Sequence, residues 1–397
     1  MSQNQILSLK DLEVEARRVL VRVNLDVPLE NQTILDDSLI QVAMPTINYL
    51  LENGARVVLA GHLGTPDGKV VPAMSLEPIA ACLASQPHIG EVFLTDSCVG
   101  DAAKSVIAGL REGQVCVLEN LAFHAGEFRN DEKLSRQLAS YCDIYVNDAF
   151  SLSEQVLAST NGILKHARIK VMGIQYAREL RALRKFLDKP AHPVVAIVGG
   201  DRIADNLEYI ESMLPRIDTL VLSGQMANTF AAATGGSTGK SIVEEKRFPL
   251  ARDLLERTAR KNINLVLPTD VCAGTDPGAL QEFGTGKVPS DLTVYDIGSR
   301  TIETWKQLIR KAGTIIWKGH LGMEQDANAG TQSIARAISG ASAYAISIGK
   351  ETARSIRSIG LEKGFDHVSD GGDATIRMLE GKTLPTLVAM GNAQSKK

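Results

Sequence analysis

Long hydrophobic runs, paired cysteines and an excess of charge of either sign are all missing from this sequence. No run approaches the roughly 18 apolar residues of a membrane-spanning helix, and residues 1–15 alternate polar and apolar types without the core of a signal peptide. The five cysteines form no C-x-x-C pair and have no histidine at zinc-ligand spacing. A net charge of −3 provides no field that would attract nucleic acid or an anionic membrane. We therefore expect a cytoplasmic protein with reduced thiols that binds neither, and in which any anion site is local.

The length and the order of the patterns predict two αβ units. A chain of 397 residues exceeds what one hydrophobic core usually supports. Short β-rich runs alternate with segments of helical period, which favours parallel sheets wrapped by helices. The predicted strands are 18–23, 56–60, 114–118 and 143–147, followed by 194–198, 218–222, 264–267, 313–317 and 343–347. Between the two series, residues 177–187 have helical spacing and end before Pro190, so we expect a connecting helix and a boundary near residue 188.

A first helix is expected after Asp36 and Asp37, which are good N-cap residues. Its predicted buried face consists of Ile40, Ala43, Ile47 and Leu50.

The segment Gly235–Ser241 resembles a phosphate-binding loop only superficially. Thr234 stands where the first glycine is required and no strand directly precedes the segment, so a loop joining two helices is predicted there.

Several segments, in the right order, resemble the phosphoglycerate kinase family from about residue 5 to 390. They are Val19–Pro28, Gly61–Gly64, Leu118–His124, Tyr145–Phe150, Val198–Gly200, Gly224–Phe230, Gly239–Ser241 and Gly371–Gly372. The resemblance implies a monomer of two doubly wound, Rossmann-like α/β domains joined by a hinge helix. It implies an acid-substrate domain over 1–172, the hinge over 173–188, a nucleotide domain over 189–380 and a C-terminal segment over 381–397 that returns to the first domain.

The acid-substrate motifs of that family are only partly present. The resemblance assigns substrate binding to Asn24, Asp26, His62 and Asn120, although Asn24 and Asp26 are exchanged relative to the family's Asp-Phe-Asn. His62 is also a candidate general base or anion ligand, with a purely structural role as the alternative. The arginines expected at four positions are replaced by Leu39, Thr65, Ala122 and Gln155. At roughly 1.5–3 kcal/mol for each charged hydrogen bond, on the order of 6 kcal/mol of binding free energy for 3-phosphoglycerate would be lost.

The nucleotide motifs are altered as well. The resemblance assigns nucleotide binding to Gly199, Gly200, Arg202, Gly224, Lys318, Glu324, Lys350, Gly371 and Gly372, with Arg202 also a catalytic candidate. The family's second lysine after the glycine pair is Asn206 here, and Lys318 stands where the family has asparagine. ATP or ADP is a possible ligand. Lys350 replaces the expected metal-binding aspartate, so Mg²⁺ binding is doubtful and no metal-binding residue is predicted.

The helix N-terminus near Gly371 is expected to receive the transferred phosphate in the family. Here Asp370 and Asp373 flank the glycine pair, and we expect them to occupy or repel the place meant for an anion, so that this helix end is capped from within.

Three functional hypotheses follow. In the first, the chain has lost 3-phosphoglycerate kinase activity and is a non-catalytic binding or regulatory paralogue, with a protein partner that the sequence does not identify. In the second, it activates a different, less anionic carboxylate through an acyl phosphate, with Leu39, Ala122 and Leu157 forming an apolar pocket. In the third, it is an active phosphoglycerate kinase.

Overall fold

The computed structural model describes residues 8–323 and 329–394, and the chain divides into two compact units. The first comprises the residues up to Leu180 together with those from Thr383 onward, and the second is Arg181–Lys382. The first break lies inside a helix, Ile174–Asp188, that corresponds to the predicted connecting helix. Across the described residues, no helix has the length and apolar character needed to cross a membrane.

A six-stranded parallel sheet organises the first unit. The described strands of this unit are Arg18–Arg22 (β1), Leu29–Glu30 (β2), Thr33–Ile34 (β3), Arg56–Ala60 (β4), Val92–Leu94 (β5), Val115–Val117 (β6), Ile144–Asn147 (β7) and Ile169–Met172 (β8). The sheet has the order β5-β6-β4-β1-β7-β8, while β2 and β3 form a separate antiparallel pair. The central strand β1 is apolar over successive residues because a parallel sheet of this kind is covered on both faces.

Helices cover both faces of this sheet. They are Ser38–Glu52 (α1), Glu77–Ala84 (α2), Asp101–Gly109 (α3), Ala125–Phe128 (α4), Glu132–Ala139 (α5) and Ile174–Asp188 (α6). Alternate residues of β1 enter different cores, with Val19 and Val21 on one face and Leu20 on the other. The four residues predicted for the inner face of α1 are all buried. At its start, the Ser38 amide donates to Asp36 Oδ1 at 2.9 Å.

The second unit repeats the architecture and adds a small antiparallel sheet. Its described strands are Val194–Val198 (β9), Thr219–Leu222 (β10), Ser237–Thr238 (β11), Asn264–Val266 (β12), Asp270–Gly274 (β13), Gln281–Gly284 (β14), Lys287–Val288 (β15), Thr293–Ile297 (β16), Thr314–Lys318 (β17), Tyr344–Ile348 (β18) and His367–Ser369 (β19). The main sheet is parallel, in the order β12-β10-β9-β17-β18-β19, and the antiparallel sheet has the order β14-β13-β16.

The described helices after α6 complete the fold. They are Ile203–Met213 (α7), Gly224–Ala233 (α8), Phe248–Arg260 (α9), Ser299–Lys311 (α10), Ala329–Ser339 (α11), Lys350–Ser358 (α12), Gly372–Leu379 (α13) and Pro385–Gln394 (α14). Of these, α14 belongs to the first unit. Residues 235–241 lie between α8 and α9, as predicted, but they contain the short strand β11, which pairs with β15, and are not a simple loop. The predicted class, two doubly wound parallel-sheet α/β domains, is confirmed.

Strand order locates the candidate sites within each unit. In the first sheet, chain connections run outward from β1 toward β4 and then resume on the other side at β7. In the second sheet they run from β9 toward β10 and resume at β17. Open α/β sheets bind ligands at the carboxyl ends of strands where the order reverses. The loops after β1 and β7, and those after β9 and β17, are therefore the places to look.

The inner face of α1 provides a matched test of the core. Leu50 is fully buried and Leu35, in the same unit, is 61% exposed. We expect Leu50→Ala to lower the free energy of unfolding by about 2–5 kcal/mol because it leaves a cavity. Leu35→Ala should change it by less than about 0.5 kcal/mol. Urea titrations followed by circular dichroism measure both changes, and equal midpoints for the two variants would contradict the packing described here.

Candidate functional site

The loop after β1 holds two predicted acid-site residues and ties neighbouring loops together. Asn24 Nδ2 donates to Ser151 Oγ at 3.0 Å, in the segment after β7. Asp26 Oδ1 accepts from the amide of Gly64, after β4, at 2.9 Å. Within the loop, the Asp26 amide donates to Asn24 Oδ1 at 3.1 Å. The exchanged pair therefore organises the carboxyl edge of this sheet, whereas substrate binding by it stays a prediction.

Asn120 is fully buried and saturated by the backbone around it. Its Oδ1 accepts from the amides of Leu63 and Ala122 at 3.2 and 3.0 Å. Its Nδ2 donates to the carbonyls of Leu63 and Met74 at 2.7 and 2.9 Å. Since an amide group has two donor hydrogens, Asn120 has no donor left for a substrate in this arrangement. The contacts describe a loop-fixing side chain.

His62 belongs to a buried ionic cluster. Its Nε2 lies 2.9 Å from Oε1 of Glu127, which also accepts from Ser159 Oγ at 2.5 Å. Ser159 Oγ in turn accepts from Arg22 Nε at 2.7 Å, and Arg22 and Glu127 are both fully buried. Burial and, next, the charge of Arg22 lower the pKa of His62, so the neutral ring donates to the carboxylate. This geometry favours the structural role that the sequence left as the alternative.

Glu127 has opposing influences on its pKa. Burial alone would raise it, but the hydrogen bond from His62, the positive charge of Arg22 and the hydrogen bond from Ser159 hold the pKa of Glu127 below its usual value. The carboxylate is therefore ionised and balances the buried guanidinium of Arg22. Neither Glu127 nor Ser159 was singled out from the sequence, because a glutamate in the short helix α4 and a serine in a turn carry no motif of their own.

The positions where the resemblance expects arginines fall into two environments. Leu39 is 9% exposed and packs in the apolar core beneath α1, and Ala122 is fully buried. Thr65 and Gln155 are exposed. Leu157, at 3% exposure, is also buried. Leu39, Ala122 and Leu157 thus contribute to packing. Because their side chains are buried, they do not line an accessible apolar pocket, contrary to the prediction.

In the second unit, glycines let three loops touch backbone to backbone. The amides of Gly199 and Gly200 donate to the carbonyls of Lys318 and His320 at 2.8 and 3.0 Å. A Cβ on Gly199 would lie 1.9 Å from the His320 carbonyl oxygen, and one on Gly224 would lie 2.4 Å from that of Gly200. These contacts join the loops after β9, β10 and β17. Their amides already have partners, so an anion approaching Gly199 and Gly200 would have to compete with protein acceptors.

Lys318 and Asn206 meet at the end of β17. Lys318 Nζ donates to Asn206 Oδ1 at 2.5 Å, and Asn206 Nδ2 donates to the carbonyl of Arg202 at 2.9 Å. Asn206 is buried and Lys318 is half-buried, with its Nζ 5.5 Å from the centre of the Tyr209 ring. Burial lowers the pKa of Lys318, while nearby carboxylates, beginning with those of Glu351 and Asp205, oppose that shift.

The rim of the glycine loops carries a second pair of replaced residues. His320 Nε2 lies 3.2 Å from Asp201 Oδ1, which also accepts from Gln225 Nε2 at 3.1 Å. The family has proline and alanine where this chain has His320 and Asp201. Arg202 is exposed at the start of α7. Asp201 therefore has two polar side chains, those of His320 and Gln225, within hydrogen-bond distance.

The remaining predicted nucleotide residues lie at helix starts. Lys350 is the exposed first residue of α12, where a positive charge opposes the helix dipole. Gly371 and Gly372 begin α13. Glu324 lies outside the described residues. The structure places Gly199, Gly200, Gly224 and Lys318 together, and the roles of all these residues in binding nucleotide stay predictions.

Asp370 does not cap α13, which corrects the expectation that this helix end is capped from within. Its two carboxylate oxygens accept from Arg357 at 2.8 and 2.6 Å, and no side chain caps the described start of α13. A planar guanidinium can satisfy both oxygens of a carboxylate at once, which turns Asp370 toward α12. Asp373 lies in the first turn of α13 and is exposed.

A shallow surface depression, too small to enclose a ligand, lies beside Gly224. Apolar side chains of Val271, Val294, Ile297 and Leu321 line it, together with Asp296. Asp296 Oδ2 accepts from the Gly330 amide at 2.8 Å, and burial raises the pKa of Asp296. The sequence analysis missed this depression because part of its lining comes from β13 and β16 of the small antiparallel sheet.

Known proteins with this sequence pattern and fold can now be compared. The family model described as "Phosphoglycerate kinase" matches residues 9–382. The chain belongs to the phosphoglycerate kinase family. It is 40% identical to the phosphoglycerate kinase of Moorella thermoacetica, covering 97% of this chain and 98% of that protein. It is 41% identical to that of Prosthecochloris aestuarii, covering 97% and 99%.

Solved structures of phosphoglycerate kinases agree with the family assignment. The structure from Coxiella burnetii superimposes with a TM-score of 0.85 at 33% identity, covering 99% of this chain and all of that one. The structure from Pyrococcus horikoshii OT3 superimposes with a TM-score of 0.82 at 28% identity and the same coverage. The phosphoglycerate kinase fold therefore extends over nearly the whole chain.

The buried ionic cluster of this family member should dominate the stability of the first unit. Glu127→Gln leaves Arg22 buried without a balancing charge, so we expect a loss of about 3–5 kcal/mol in the free energy of unfolding. The control Glu132→Gln removes an exposed carboxylate that pairs with Arg136 at 2.8 Å, and should change stability by no more than about 1 kcal/mol. Urea titration compares the two, and similar small losses would show that the cluster contributes little.

The backbone contacts of Gly199 yield a second stability test. Gly199→Ala forces the loop after β17 to move, and we expect a loss of at least about 2 kcal/mol. Gly340→Ala is the matched control in the same unit, because its new Cβ would meet only an ordinary contact at 3.5 Å and the residue has no positive φ. Thermal unfolding distinguishes the variants. Unchanged stability of Gly199→Ala would mean that the glycine is dispensable for packing.

Proposed function

We propose that this member of the phosphoglycerate kinase family binds nucleotide in its second unit but has lost efficient phosphorylation of 3-phosphoglycerate. The observation that carries the proposal is the state of the acid-site positions. Two positions where the resemblance expects arginines contain side chains that are buried as packing residues, Leu39 and Ala122, and two contain neutral exposed side chains, Thr65 and Gln155. Phosphoryl transfer depends on fixed positive charge around the phosphate oxygens.

The magnitude of the missing charge favours a large effect. At roughly 1.5–3 kcal/mol for each charge-assisted hydrogen bond, four lost arginines exceed 6 kcal/mol. That is a factor of more than about 10⁴ in affinity, which takes a micromolar ligand beyond millimolar. The guanidinium of Arg22 does not replace them, because it is fully buried and directed toward Ser159.

Nucleotide binding has separate support. Lys318 places a positive charge at the carboxyl end of β17, next to the glycine pair that follows β9. Metal binding is a weaker expectation, since Lys350 supplies no oxygen ligand for Mg²⁺. A binding or regulatory role in the cytoplasm, as a monomer, is part of the same proposal.

An active phosphoglycerate kinase is the second candidate, and one observation favours it. Relatives named phosphoglycerate kinase share about 40% identity over nearly the full chain, and nothing in these comparisons points to a loss of activity. Of the three hypotheses this one agrees best with the comparisons, while the site residues favour the first. Activation of a less anionic acid has no comparable support, because the side chains expected to line its pocket are buried.

Steady-state turnover separates the two candidates. With ATP, Mg²⁺ and 3-phosphoglycerate in a coupled assay, we expect less than about 1 s⁻¹, the lower end of ordinary enzymes. Calorimetric titration should give a dissociation constant above about 1 mM for 3-phosphoglycerate. Turnover well above this limit would establish the second candidate in place of the first, and the absence of any thermal stabilisation by millimolar ATP would refute nucleotide binding.

A gain-of-binding variant tests the electrostatic reason directly. Thr65→Arg/Gln155→Arg restores two exposed positive charges without disturbing a core, and should tighten 3-phosphoglycerate binding by about tenfold or more. Ser85→Arg/Ser140→Arg is the control, because it adds the same charge at two exposed helix ends elsewhere in the unit. Equal affinities for the two variants would argue that general charge, and not these two positions, matters.

A further inference from the structure

Two residues of the second unit have exchanged chemical types relative to the family pattern. The family has lysine at position 206 and asparagine at position 318, whereas this chain has Asn206 and Lys318. The two side chains are 112 residues apart in sequence and form a direct hydrogen bond of 2.5 Å. In this chain, one ammonium and one amide are therefore in contact, with each on the element where the family pattern has the other.

The ammonium of Lys318 has N–H donors that are not used within the described part of the protein. A lysine has three N–H donors, and among the described residues the hydrogen bond to Asn206 is the one found for its side chain. Asn206 is itself held by the Arg202 carbonyl, so the amide fixes the position of the ammonium. Two N–H donors of this half-buried ammonium are therefore left for a further acceptor.

Lys318 lies where a residue that binds an anionic ligand is expected in a fold of this kind. It ends β17, which lies beside β9 where the strand order reverses, and the glycine pair that follows β9 contacts its backbone. Two carboxylates that act on its charge, Glu351 and Asp205, belong to the first turns of α12 and α7. They neutralise the ammonium only from a distance, because neither forms an ion pair with it within 4.0 Å in the part of the chain that is described.

We propose that Lys318, positioned by Asn206, is the residue that binds a phosphate group of the nucleotide in this chain, in place of the lysine that the family has at position 206. The proposal deepens the proposed function and rests on its nucleotide site. It implies that the positive charge has moved from helix α7 to strand β17 while its place in the unit is kept.

Affinities for ATP and adenosine distinguish this role from general packing. We expect Lys318→Met to weaken ATP binding by at least about tenfold, the loss of one charge-assisted hydrogen bond, and to leave adenosine binding unchanged within about twofold. Lys311→Met removes an exposed lysine from the end of α10, and should alter neither affinity. Isothermal titration calorimetry on the unaltered full chain and the two variants measures all six affinities.

A reciprocal exchange guards against a variant that fails to fold. Lys318→Asn alone should lose ATP affinity, and Asn206→Lys/Lys318→Asn should recover it to within about threefold of the original chain. ATP binding that Lys318→Met leaves intact, or equal losses for ATP and adenosine, would overturn the role of Lys318 alone. If the unaltered chain binds neither ATP nor adenosine, the proposed nucleotide site fails together with this inference.

Discussion

The close contact of three backbone loops is the constraint on which the second unit depends. The segments after β9, β10 and β17 meet through carbonyl and amide groups, with no room for a Cβ on Gly199 or Gly224. Because these contacts fix where each loop leaves its strand, they also fix where Lys318, His320 and Asp201 project. Glycine at these positions thus has a structural reason that is independent of any ligand.

Three residues of this unit that differ from the family pattern have a complementary side chain beside them. Lys318 donates to Asn206, Asp201 lies beside His320, and Asp370 accepts from Arg357. Each charge, which would be costly if buried alone, is thereby compensated. In the first unit the exchanged residues Asn24 and Asp26 are likewise joined by a hydrogen bond, whereas Leu39 and Ala122 are buried as packing residues.

Much of the fold followed from the apolar pattern. The central strands β1 and β9 contain the apolar runs Val19–Val21 and Val194–Val198, because both of their faces are covered. The edge strands Val92–Leu94, Ile169–Met172 and His367–Ser369 were missed, since they are short and partly exposed and so carry little pattern. The boundary near residue 188 was placed where proline ends the helix, while the compact units divide at Leu180, inside it.

The candidate site was less predictable, because pairing depends on contacts distant in sequence. The replacements at 206 and 318 were visible separately, but only the adjacency of β9 and β17 shows that they touch.

One neighbour of that pair determines where the tryptophan fluorescence of the protein originates. Both tryptophans of the chain, Trp305 and Trp317, are buried in the second unit, and Trp317 precedes Lys318 and donates to the Gly319 carbonyl at 2.8 Å. Tryptophan emission therefore originates entirely from this unit, and one of the two tryptophans directly precedes, in the chain, the lysine proposed to bind phosphate.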